Sequence, residues 1–308
     1  MQEFLVEEDN IRIDIYLSKK LEISRSKVTK MLETCILVNG NKVKNSYIVK
    51  TNDLIQIDEY IEEDITAEPE KMDLDIIYED DDVIVVNKEN GMVVHPAIGN
   101  TKHTLVNGLL YHSKELSKVN GEFRPGIVHR IDAYTTGLLM IAKNDFTHEF
   151  LSNQLSSQKA NRKYIALVWG VIKEDTATID APIGRDTQDR KKMAVIGGGK
   201  EAITELKVLE RYKNATLVEL TLKTGRTHQI RVHMNYINHP VVNDPVYGKR
   251  KILDATGQCL HAKTLGFIHP KTNEYMEFTS ELPVCFTNIL NKFKEEVWTL
   301  QSQVNMKK

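Results

Sequence analysis

One short segment of the chain concentrates residue types that can do acid–base chemistry. His129, Arg130 and Asp132 lie within four residues of one another, and a Thr-Thr-Gly turn follows at 135–137. Apolar runs flank the segment, so a loop here would present a carboxylate at the end of a strand. Asp132 is therefore a candidate nucleophile or general acid/base. An Asp can equally cap a turn, and the local sequence favours neither interpretation.

A second polar segment, residues 224–233, joins an apolar strand to a helix. Arg226 lies where the strand turns into the helix, a position suited to holding an anion or a carboxylate. His228 and His233 suggest metal binding, but their spacing does not place two ligands on one helical face. No Cys or carboxylate completes a ligand set beside them. We therefore predict polar or core histidines and no metal site.

A third segment places Arg162 and Lys163 directly before Tyr164, at the start of an apolar run. An aromatic residue in this position is commonly part of the core or fills a sheet edge. An aromatic ring can also stack against a nucleobase. The residues alone leave both interpretations open.

The charge distribution permits a nucleic-acid partner although the formal net charge is −2. Residues 11–57 contain nine Lys and Arg against four acids, whereas residues 58–82 contain thirteen acids against Lys71 alone. Affinity for a phosphate backbone depends on local Lys and Arg density, so the basic segment could bind RNA. Charged runs are also common on ordinary solvated faces.

Several other classes are disfavoured by composition. Hydrophobic residues make up 41% of the 308 residues and charged residues 27%, as in globular proteins. No apolar stretch is long enough to span a bilayer, and the acidic N-terminus lacks a signal-peptide pattern. Cys35, Cys259 and Cys285 are scattered, which predicts a reducing compartment. No phosphate-binding loop or dinucleotide fingerprint occurs. We expect a cytoplasmic monomer without a membrane partner or a cofactor.

The pattern of elements divides the chain into three parts. Residues 1–60 predict a small α+β domain, residues 61–72 an acidic linker containing a proline, and residues 73–308 a larger domain. The larger part alternates strand-like and helical segments. Its predicted fold class is α+β with a large mixed, mostly antiparallel sheet.

In the N-terminal domain, Ser24 or Ser26 can cap a helix, and Asn39-Gly40 between apolar flanks predicts a hairpin in which both residues have positive φ. This region resembles the αL RNA-binding domain of the ribosomal protein S4 type. The resemblance rests on the R-x-D-x-x-L opening at 12–17, Ser-Arg-Ser at 24–26 and Val-Asn-Gly at 38–40. It implies that five cations face RNA: Arg25, Lys27, Lys30, Lys42 and Lys44. The alternative is that these are ordinary surface charges.

In the larger domain, apolar periodicity predicts several elements. Strands are predicted at Val83–Asn87, Gly137–Ala142, Tyr164–Trp169 and Leu217–Lys223. One helix is expected after a cap at Asn144 or Asp145, and its predicted apolar face consists of Phe146, Phe150, Leu151 and Leu155. A final helix is predicted from the apolar stripe Phe286, Ile289, Leu290, Phe293, Val297 and Leu300.

From about Leu74 to Pro283 the chain resembles the RluA/RluD-type family of pseudouridine synthases. The shared motifs are, in order, Val85–Lys88 with Gly91–Pro96, His129–Asp132 with Thr135–Gly137, Lys163–Tyr164, Asp189–Arg190 with Met193–Ala194, Gly225–His233, His239–Pro240 with Asp244–Pro245 and Tyr247–Gly248, and Leu260–Ala262 before Gly266–Phe267. Their number and order make the resemblance specific.

The resemblance implies a role for each matching residue. Asp132 corresponds to the essential Asp, and Arg226 is expected to pair with its carboxylate and favour the ionised form. Tyr164 is expected to lie against the target base and to help remove its proton. Arg130, together with His129, is expected to act in base flipping, because a stacked uridine is inaccessible.

The implied reaction is isomerisation of uridine in structured RNA, by cleavage of the N-glycosidic bond, rotation of the uracil and joining of carbon five to the sugar. Large-subunit ribosomal RNA is the favoured substrate and transfer RNA the alternative. Asp132 could attack the sugar or act through a glycal. A non-catalytic RNA-binding protein, a base glycosidase and a deaminase are rival functions, although a zinc deaminase needs a Cys pair that is absent. Two residues depart from the family pattern: Tyr134 replaces a frequent Asp, and Glu89 a frequent Pro.

Overall fold

The structure is a computed structural model that describes residues 2–60, 67–97, 99–119, 121, 124–189, 192–248 and 252–294. The chain forms two compact units, Met1–Asp64 and Ile65–Lys308. The predicted linker at 61–72 therefore lies partly outside the described residues. Within the described ranges, no helix has both the length and the apolar character needed to cross a membrane.

The N-terminal unit combines two helices with a three-stranded antiparallel sheet. Its elements are β1 (Gln2–Leu5), α1 (Ile13–Lys20), α2 (Arg25–Thr34), β2 (Ile36–Val38) and β3 (Leu54–Ile57), with sheet order β1-β3-β2. Ser24, one of the two predicted caps, begins α2 by accepting a hydrogen bond from the backbone N–H of Lys27 at 3.2 Å. Val28, Met31 and Leu32 are buried in the core of this unit, which confirms the predicted helical face.

The predicted hairpin of this unit is correct at its turn and wrong beyond it. Asn39 and Gly40 have φ values of 51° and 75°, both positive as predicted. The chain after the turn forms only one bridge to β2, between Val38 and Asn41, and β2 pairs with β3 instead. The reason is hydrophobic burial, because β3 contributes fully buried Ile55 to the core, whereas the segment after the turn is rich in polar residues.

The larger unit is built on a mixed sheet with helices on both faces. Its strands are β4 (Ile76–Glu79), β5 (Val83–Lys88), β6 (Thr136–Ala142), β7 (Asn161–Trp169), β8 (Thr176–Asp180), β9 (Ile183–Arg185), β10 (Met193–Val195), β11 (Ile203–Arg211), β12 (Ala215–Leu222), β13 (Leu260–Ile268) and β14 (Tyr275–Thr279). Its helices are α3 (Leu105–His112), α4 (Asp145–Ser156), α5 (Gln229–Tyr236) and α6 (Val284–Lys294).

In the described part of the chain this sheet has nine strands in the order β4-β5-β6-β13-β7-β12-β11-β8, with β14 beside β13, and β9 and β10 form a separate pair. The β6–β13 pair is parallel, and the neighbouring β5–β6 and β7–β13 pairs are antiparallel. The α+β class with a mostly antiparallel sheet is thereby confirmed. On β12, Val218, Leu220 and Leu222 share the buried face, as predicted from their alternation.

Strand β6 lies at the centre of this unit, because both of its faces are buried. Leu139 and Ile141 belong to one apolar core together with α3, and Leu138 and Met140 belong to a second core together with α4. Burial on both faces explains why the sequence of this strand is a continuous apolar run and not an alternation of apolar and polar residues. The loop that precedes β6 is therefore anchored to the most buried strand of the sheet.

Helix α4 begins at its predicted cap but buries only part of its predicted face. Asn144 accepts a hydrogen bond from the N–H of Thr147 at 2.9 Å. Leu151 is buried and Leu155 packs against the same core, as predicted, whereas Phe146 is 64% exposed and the prediction is wrong there. Gln154 determines the rotation of the helix, because its amide exchanges two 2.8 Å hydrogen bonds with the backbone of Ile268. The buried residues of α4 are Thr147, His148, Leu151 and Gln154.

The predicted final helix is present as α6, which buries Phe286, Ile289, Leu290 and Phe293. Val297 and Leu300, the last two residues of its predicted stripe, lie outside the described residues.

Candidate active site

The loop that carries Asp132 leads directly into β6 and is closed by a turn. The N–H of Thr135 donates to the carbonyl of Asp132 at 3.0 Å. Gly137, at φ 107°, follows where β6 runs beside β13, and a Cβ at this position would overlap the backbone of Ala262. The glycine is thus required for the close approach of the two strands. The Thr-Thr-Gly signal therefore reflects packing of the strand that holds the loop.

A buried lysine ties the same loop to β5. Lys88 is 1% exposed, and its Nζ donates to the carbonyls of Glu89, Met92 and Ala133 at 2.8–2.9 Å. Three acceptors match the three donors of an ammonium group. Burial lowers the pKa of Lys88 to about 7, against the opposing effect of the charges of Asp132 and Glu89. Lys88 therefore holds the backbone of Ala133, the residue after Asp132, by a hydrogen bond from the buried side of the loop.

The guanidinium that pairs with Asp132 belongs to Arg231, not to Arg226. Nη1 of Arg231 lies 2.8 Å from Oδ2 of Asp132. Arg226 instead donates its Nε to the carbonyl of Glu201 at 2.8 Å. The predicted Arg226–Asp132 pair is wrong because residue 226 precedes helix α5 and its side chain turns away, whereas residue 231 lies on the helical face toward the loop. Arg226 still lines the same pocket as Asp132.

Arg231 is itself held by a second, fully buried carboxylate. Its Nε and Nη2 donate to the two oxygens of Asp244 at 2.7 and 2.9 Å, and Asp244 also accepts hydrogen bonds from the N–H groups of Val246 and Tyr247. Burial alone would raise the pKa of Asp244, but Arg231 and the backbone donors hold it below its usual value. Burial alone would lower the pKa of Arg231, but Asp244 and Asp132 raise it. The guanidinium is thereby preorganised with its Nη1 toward Asp132.

His228 lies on the other side of Asp132. Its Nε2 is 3.7 Å from Oδ1 of Asp132, and its Nδ1 is 2.8 Å from the hydroxyl of Tyr247. The Tyr247 oxygen accepts the N–H of Met193 at 2.9 Å, so its own proton can be donated to Nδ1. In that tautomer Nε2 carries the hydrogen that faces Asp132. Burial lowers the pKa of His228, and the charge of Asp132 opposes this effect.

The five residues predicted for catalysis and base flipping line one pocket of about 410 Å³: His129, Arg130, Asp132, Tyr164 and Arg226. The carboxylate of Asp132 is accessible there, with its side chain 18% exposed. Tyr164 is 5% exposed and lies in the core beneath the pocket. Burial raises the pKa of its phenol, and the charge of Arg162 partly counteracts this. The pocket volume is within the range of small-molecule sites, about 300–1,000 Å³.

Arg130 and His129 occupy different environments. Arg130 is exposed, with Nη1 3.4 Å from Nε2 of His95. His129 accepts the N–H of Met140 through Nε2 at 3.3 Å, and burial lowers its pKa to about 3. His129 is therefore neutral at physiological pH and contacts the backbone of β6, whereas Arg130 presents an exposed, permanently charged side chain to the pocket.

The cations predicted to bind RNA differ in exposure. Arg25 pairs with Asp14, Nη2 to Oδ2 at 2.5 Å, although its side chain is 56% exposed. Nζ of Lys27 lies 5.7 Å from the ring centre of Tyr60. The exposed lysines of the set are Lys30, Lys42 and Lys44. Lys42 also donates to the carbonyl of Glu33.

His233, which was predicted with His228 to be a polar or core histidine, is fully buried. Its ring nitrogens contact the hydroxyl of Thr204 and the carbonyl of Ala181, both at 2.9 Å. Among the described residues, one group of side chains could hold a metal ion, Asp80, Asp82 and His269, none of which lines the pocket. His269 contacts Asp80 at 2.9 Å and Asp80 caps the β4–β5 turn, so a structural role accounts for the group.

Tyr134, which departs from the family pattern, does not line this pocket. Its ring lies against Gly257, where a Cβ would overlap it, and it borders a small separate cavity. The aromatic residue therefore packs behind the loop. Arg190, part of a motif singled out above, lies outside the described residues.

Sequence reasoning missed three residues that organise the site: Arg231, Asp244 and Lys88. Each lies within one of the family motifs named above. The ion pair with Asp132 was assigned to Arg226 instead of Arg231, and no role was assigned to Asp244 or Lys88. A signal existed for Lys88, because it is a charged residue at the end of the otherwise apolar strand β5.

Comparison with known proteins places the two units in described families. A family model described as RNA pseudouridylate synthase matches residues 82–236. An S4 domain model matches residues 11–55. The first range contains Asp132, Tyr164 and Arg231.

Individual relatives cover nearly the whole chain. The uncharacterized RNA pseudouridine synthase YlyB of Bacillus subtilis is 51% identical over 94% of this chain and 96% of its own length. Ribosomal large subunit pseudouridine synthase D of Zymomonas mobilis is 41% identical over 88% of this chain and 90% of its own. Among solved structures, human RNA pseudouridylate synthase domain containing 1 aligns with a TM-score of 0.57 and 26% identity, over 74% of this chain and 97% of that one.

Proposed function

Because the chain belongs to the RNA pseudouridylate synthase family, we propose that it isomerises uridines of large-subunit ribosomal RNA with Asp132 as the essential carboxylate. Relatives at 41% and 42% identity are named ribosomal large subunit pseudouridine synthase D, which favours that RNA over transfer RNA. The observation that carries the role of Asp132 is its position in the pocket, paired with Arg231 at 2.8 Å and in the same cavity as Tyr164.

A uridine in folded RNA reaches Asp132 only if it leaves its stack. Arg130 is suited to assist, because it is exposed and its one described polar contact, to His95, is long at 3.4 Å. Its guanidinium can leave that contact at little cost and occupy the space of the extruded base. The pocket then receives the nucleoside with its sugar toward Asp132.

Asp132 acts as an ionised carboxylate in either route open to it. In one route it attacks C1′ of the ribose, and in the other it removes a sugar proton so that a glycal forms. Both use the charged form, and the guanidinium of Arg231 lies 2.8 Å from that carboxylate. Hydrogen bonding to Arg231 also orients one oxygen, so the other remains available to the substrate.

Tyr164 contacts the base in this proposal. Since burial raises the pKa of its phenol, Tyr164 keeps its proton at neutral pH. This favours a role in packing against the uracil over one in removing its proton. Arg226, displaced from Asp132, lines the pocket and is available to the RNA.

The N-terminal unit supplies sequence-independent affinity in this proposal. Lys30, Lys42 and Lys44 are exposed there and can contact phosphates. We assign the enzyme to the cytoplasm, where its three free cysteines remain reduced. We expect it to act as a monomer.

A product assay tests the function. The full-length protein is incubated with large-subunit ribosomal RNA and with transfer RNA that carry tritium at C5 of uridine, and the nucleosides are separated after digestion. We expect tritium release and pseudouridine from ribosomal RNA. Release of free uracil would indicate a glycosidase, and binding without tritium release a non-catalytic RNA-binding protein. Either result refutes the proposal.

Comparison of pseudouridine maps from cells with and without the gene identifies the substrate. We expect the loss of specific pseudouridines in large-subunit ribosomal RNA. If the lost sites lie in transfer RNA instead, the assignment of substrate is wrong although the activity is right.

A further inference from the structure

The pocket contains a second buried cation that has no described role. Arg162 is 6% exposed, and its Nε has no hydrogen-bond partner. No carboxylate among the described residues pairs with it, in contrast to Arg231 and its two aspartates. A buried charge without a partner is strongly destabilising, so folds retain it only where something else compensates.

The guanidinium of Arg162 is directed into the pocket. Arg162 and Tyr164 lie two residues apart on β7, so their side chains project to the same face of the sheet, and both line the cavity. Gly225 makes room for the group, because a Cβ there would lie 2.8 Å from Nη1 of Arg162. The adjacent Lys163 projects to the opposite face, with Nζ 3.7 Å from Glu219.

The proposed reaction creates negative charge at this place. When the bond between N1 of uracil and C1′ breaks, both electrons stay with the uracil, and the charge spreads onto O2 and O4. The bond from C5 to C1′ then forms with an electron pair of the uracil, which neutralises the base. In the first route the bond between C1′ and the Asp132 carboxylate breaks at this step, and in the glycal route Asp132 returns the sugar proton. C5 then loses its proton and N1 gains one. The guanidinium of a residue as buried as Arg162, which is 6% exposed, stabilises such a transient anion far more than it stabilises neutral uridine.

We propose that Arg162 is a catalytic residue that binds the oxygens of the detached uracil anion. The inference rests on the proposed function and extends it. Arg162 transfers no proton or electron; it lowers the energy of the leaving group. A phosphate of the RNA is the other anion that a guanidinium could bind. The 6% exposure of Arg162 and its position beside Tyr164 favour the base, because phosphates remain with the backbone at the pocket rim.

The test compares leaving groups of different acidity. RNAs carrying uridine or 5-fluorouridine at the modified site are treated with excess enzyme, and the rate of N-glycosidic cleavage is measured from loss of the N-nucleoside. Fluorine makes N1 of the free base more acidic, so 5-fluorouracil leaves with less need of stabilisation. The variants are Arg162→Met, Arg162→Lys and, as a control on the opposite face of the same strand, Lys163→Met.

We expect Arg162→Met to slow cleavage of uridine by about 10²–10³-fold, the usual cost of removing one donor from a charge-stabilising site. The slowing with 5-fluorouridine should be at least about tenfold smaller, and Arg162→Lys should recover part of the loss. Lys163→Met should resemble the wild type with both RNAs. Because an unpaired buried cation is removed, the Tm of Arg162→Met should equal or exceed that of the wild type.

Three results would overturn the inference. Equal slowing with both RNAs would show that Arg162 does not stabilise the leaving group. A weaker RNA affinity with a smaller salt dependence and an unchanged cleavage rate would show a phosphate contact. A large fall in Tm on Arg162→Met would show a structural role. Since every comparison uses an active wild-type enzyme, failure of the proposed function itself would be seen separately, as absence of pseudouridine in the wild-type reaction.

Discussion

Replacing Arg231 by Met should impair stability and activity together, because one guanidinium serves two carboxylates. The substitution preserves side-chain volume but leaves Asp244, which is 0% exposed, without its cation. Breaking a buried pair in this way costs about 3–5 kcal/mol. For a unit of this size each kcal/mol corresponds to about 2–4 °C in Tm, so we expect a decrease of about 6–20 °C.

The measurement is calorimetric unfolding of the full-length protein, followed by tritium release at a temperature where both proteins are folded. Arg231→Met should show no measurable turnover, since Asp132 loses its 2.8 Å partner. The double variant Arg231→Met with Asp244→Asn separates the two effects. It removes the unpaired charge but keeps an oxygen for the N–H groups of Val246 and Tyr247, so much of the Tm should return while turnover stays absent.

Two results would refute this reasoning. If Arg231→Met unfolds within about 2 °C of the wild type, less than 1 kcal/mol has been lost and the buried pair does not stabilise the unit as inferred. If the double variant regains turnover along with stability, Arg231 acts only through the fold and not on Asp132.

Three further perturbations test other parts of the account. Lys88→Met should lower kcat in the tritium-release assay with little change in RNA affinity, because the catalytic loop loses its anchor on β5; an unchanged kcat would contradict this. Replacing Lys30, Lys42 and Lys44 together by Gln should make the negative slope of log Kobs against log salt shallower by about 2–3, and an unaltered slope would exclude phosphate contacts there. Burial lowers the pKa of His261 in the folded protein to about 4, below its value near 6.5 in the unfolded chain. Because the unfolded chain therefore binds a proton at higher pH, the free energy of unfolding should fall as the pH drops from 6.5 to 4. In His261→Gln that decline should be shallower, as followed by urea unfolding at each pH, and an identical decline would show that His261 does not contribute.

Local signals in the sequence predicted local structure well. Ser24 and Asn144 cap helices as expected, and Asn39-Gly40 adopts positive φ at both positions. Each of these outcomes depends on side chains within a few residues, which is why a pattern suffices to predict it. Strand β2 pairs instead with β3, which lies about 16 residues further along the chain, and the predicted pairing was wrong there.

The sequence predicted residues that line the candidate site but not which of them contact one another. The motifs identified Asp132 and an Arg in the segment 224–233, but not which Arg faces the carboxylate. That choice depends on how α5 begins: His228 adopts a left-handed conformation with φ 56°, which separates the direction of Arg226 from that of Arg231. Such a φ in a residue other than Gly is uncommon, and it is stabilised here by the contact with Tyr247, nineteen residues away.

Buried charges were the least predictable feature. Lys88 was recognised only as a member of a motif, and Arg162 only as one of two cations before Tyr164. The surroundings of both are formed by segments far apart in the chain. Lys88 bonds carbonyls both beside it and 45 residues away. A buried cation can be inferred from sequence as unusual, but its purpose depends on the cavity that it faces.

The most direct measurement is tritium release from C5-labelled ribosomal RNA by Asp132→Asn compared with wild type, with RNA affinity measured in parallel. Asparagine keeps the size of the side chain and an oxygen for Arg231 but cannot act as a carboxylate. We expect RNA binding within about threefold of wild type and no tritium above background. Turnover near the wild-type rate would contradict it, because the chemistry would then not depend on the carboxylate of Asp132.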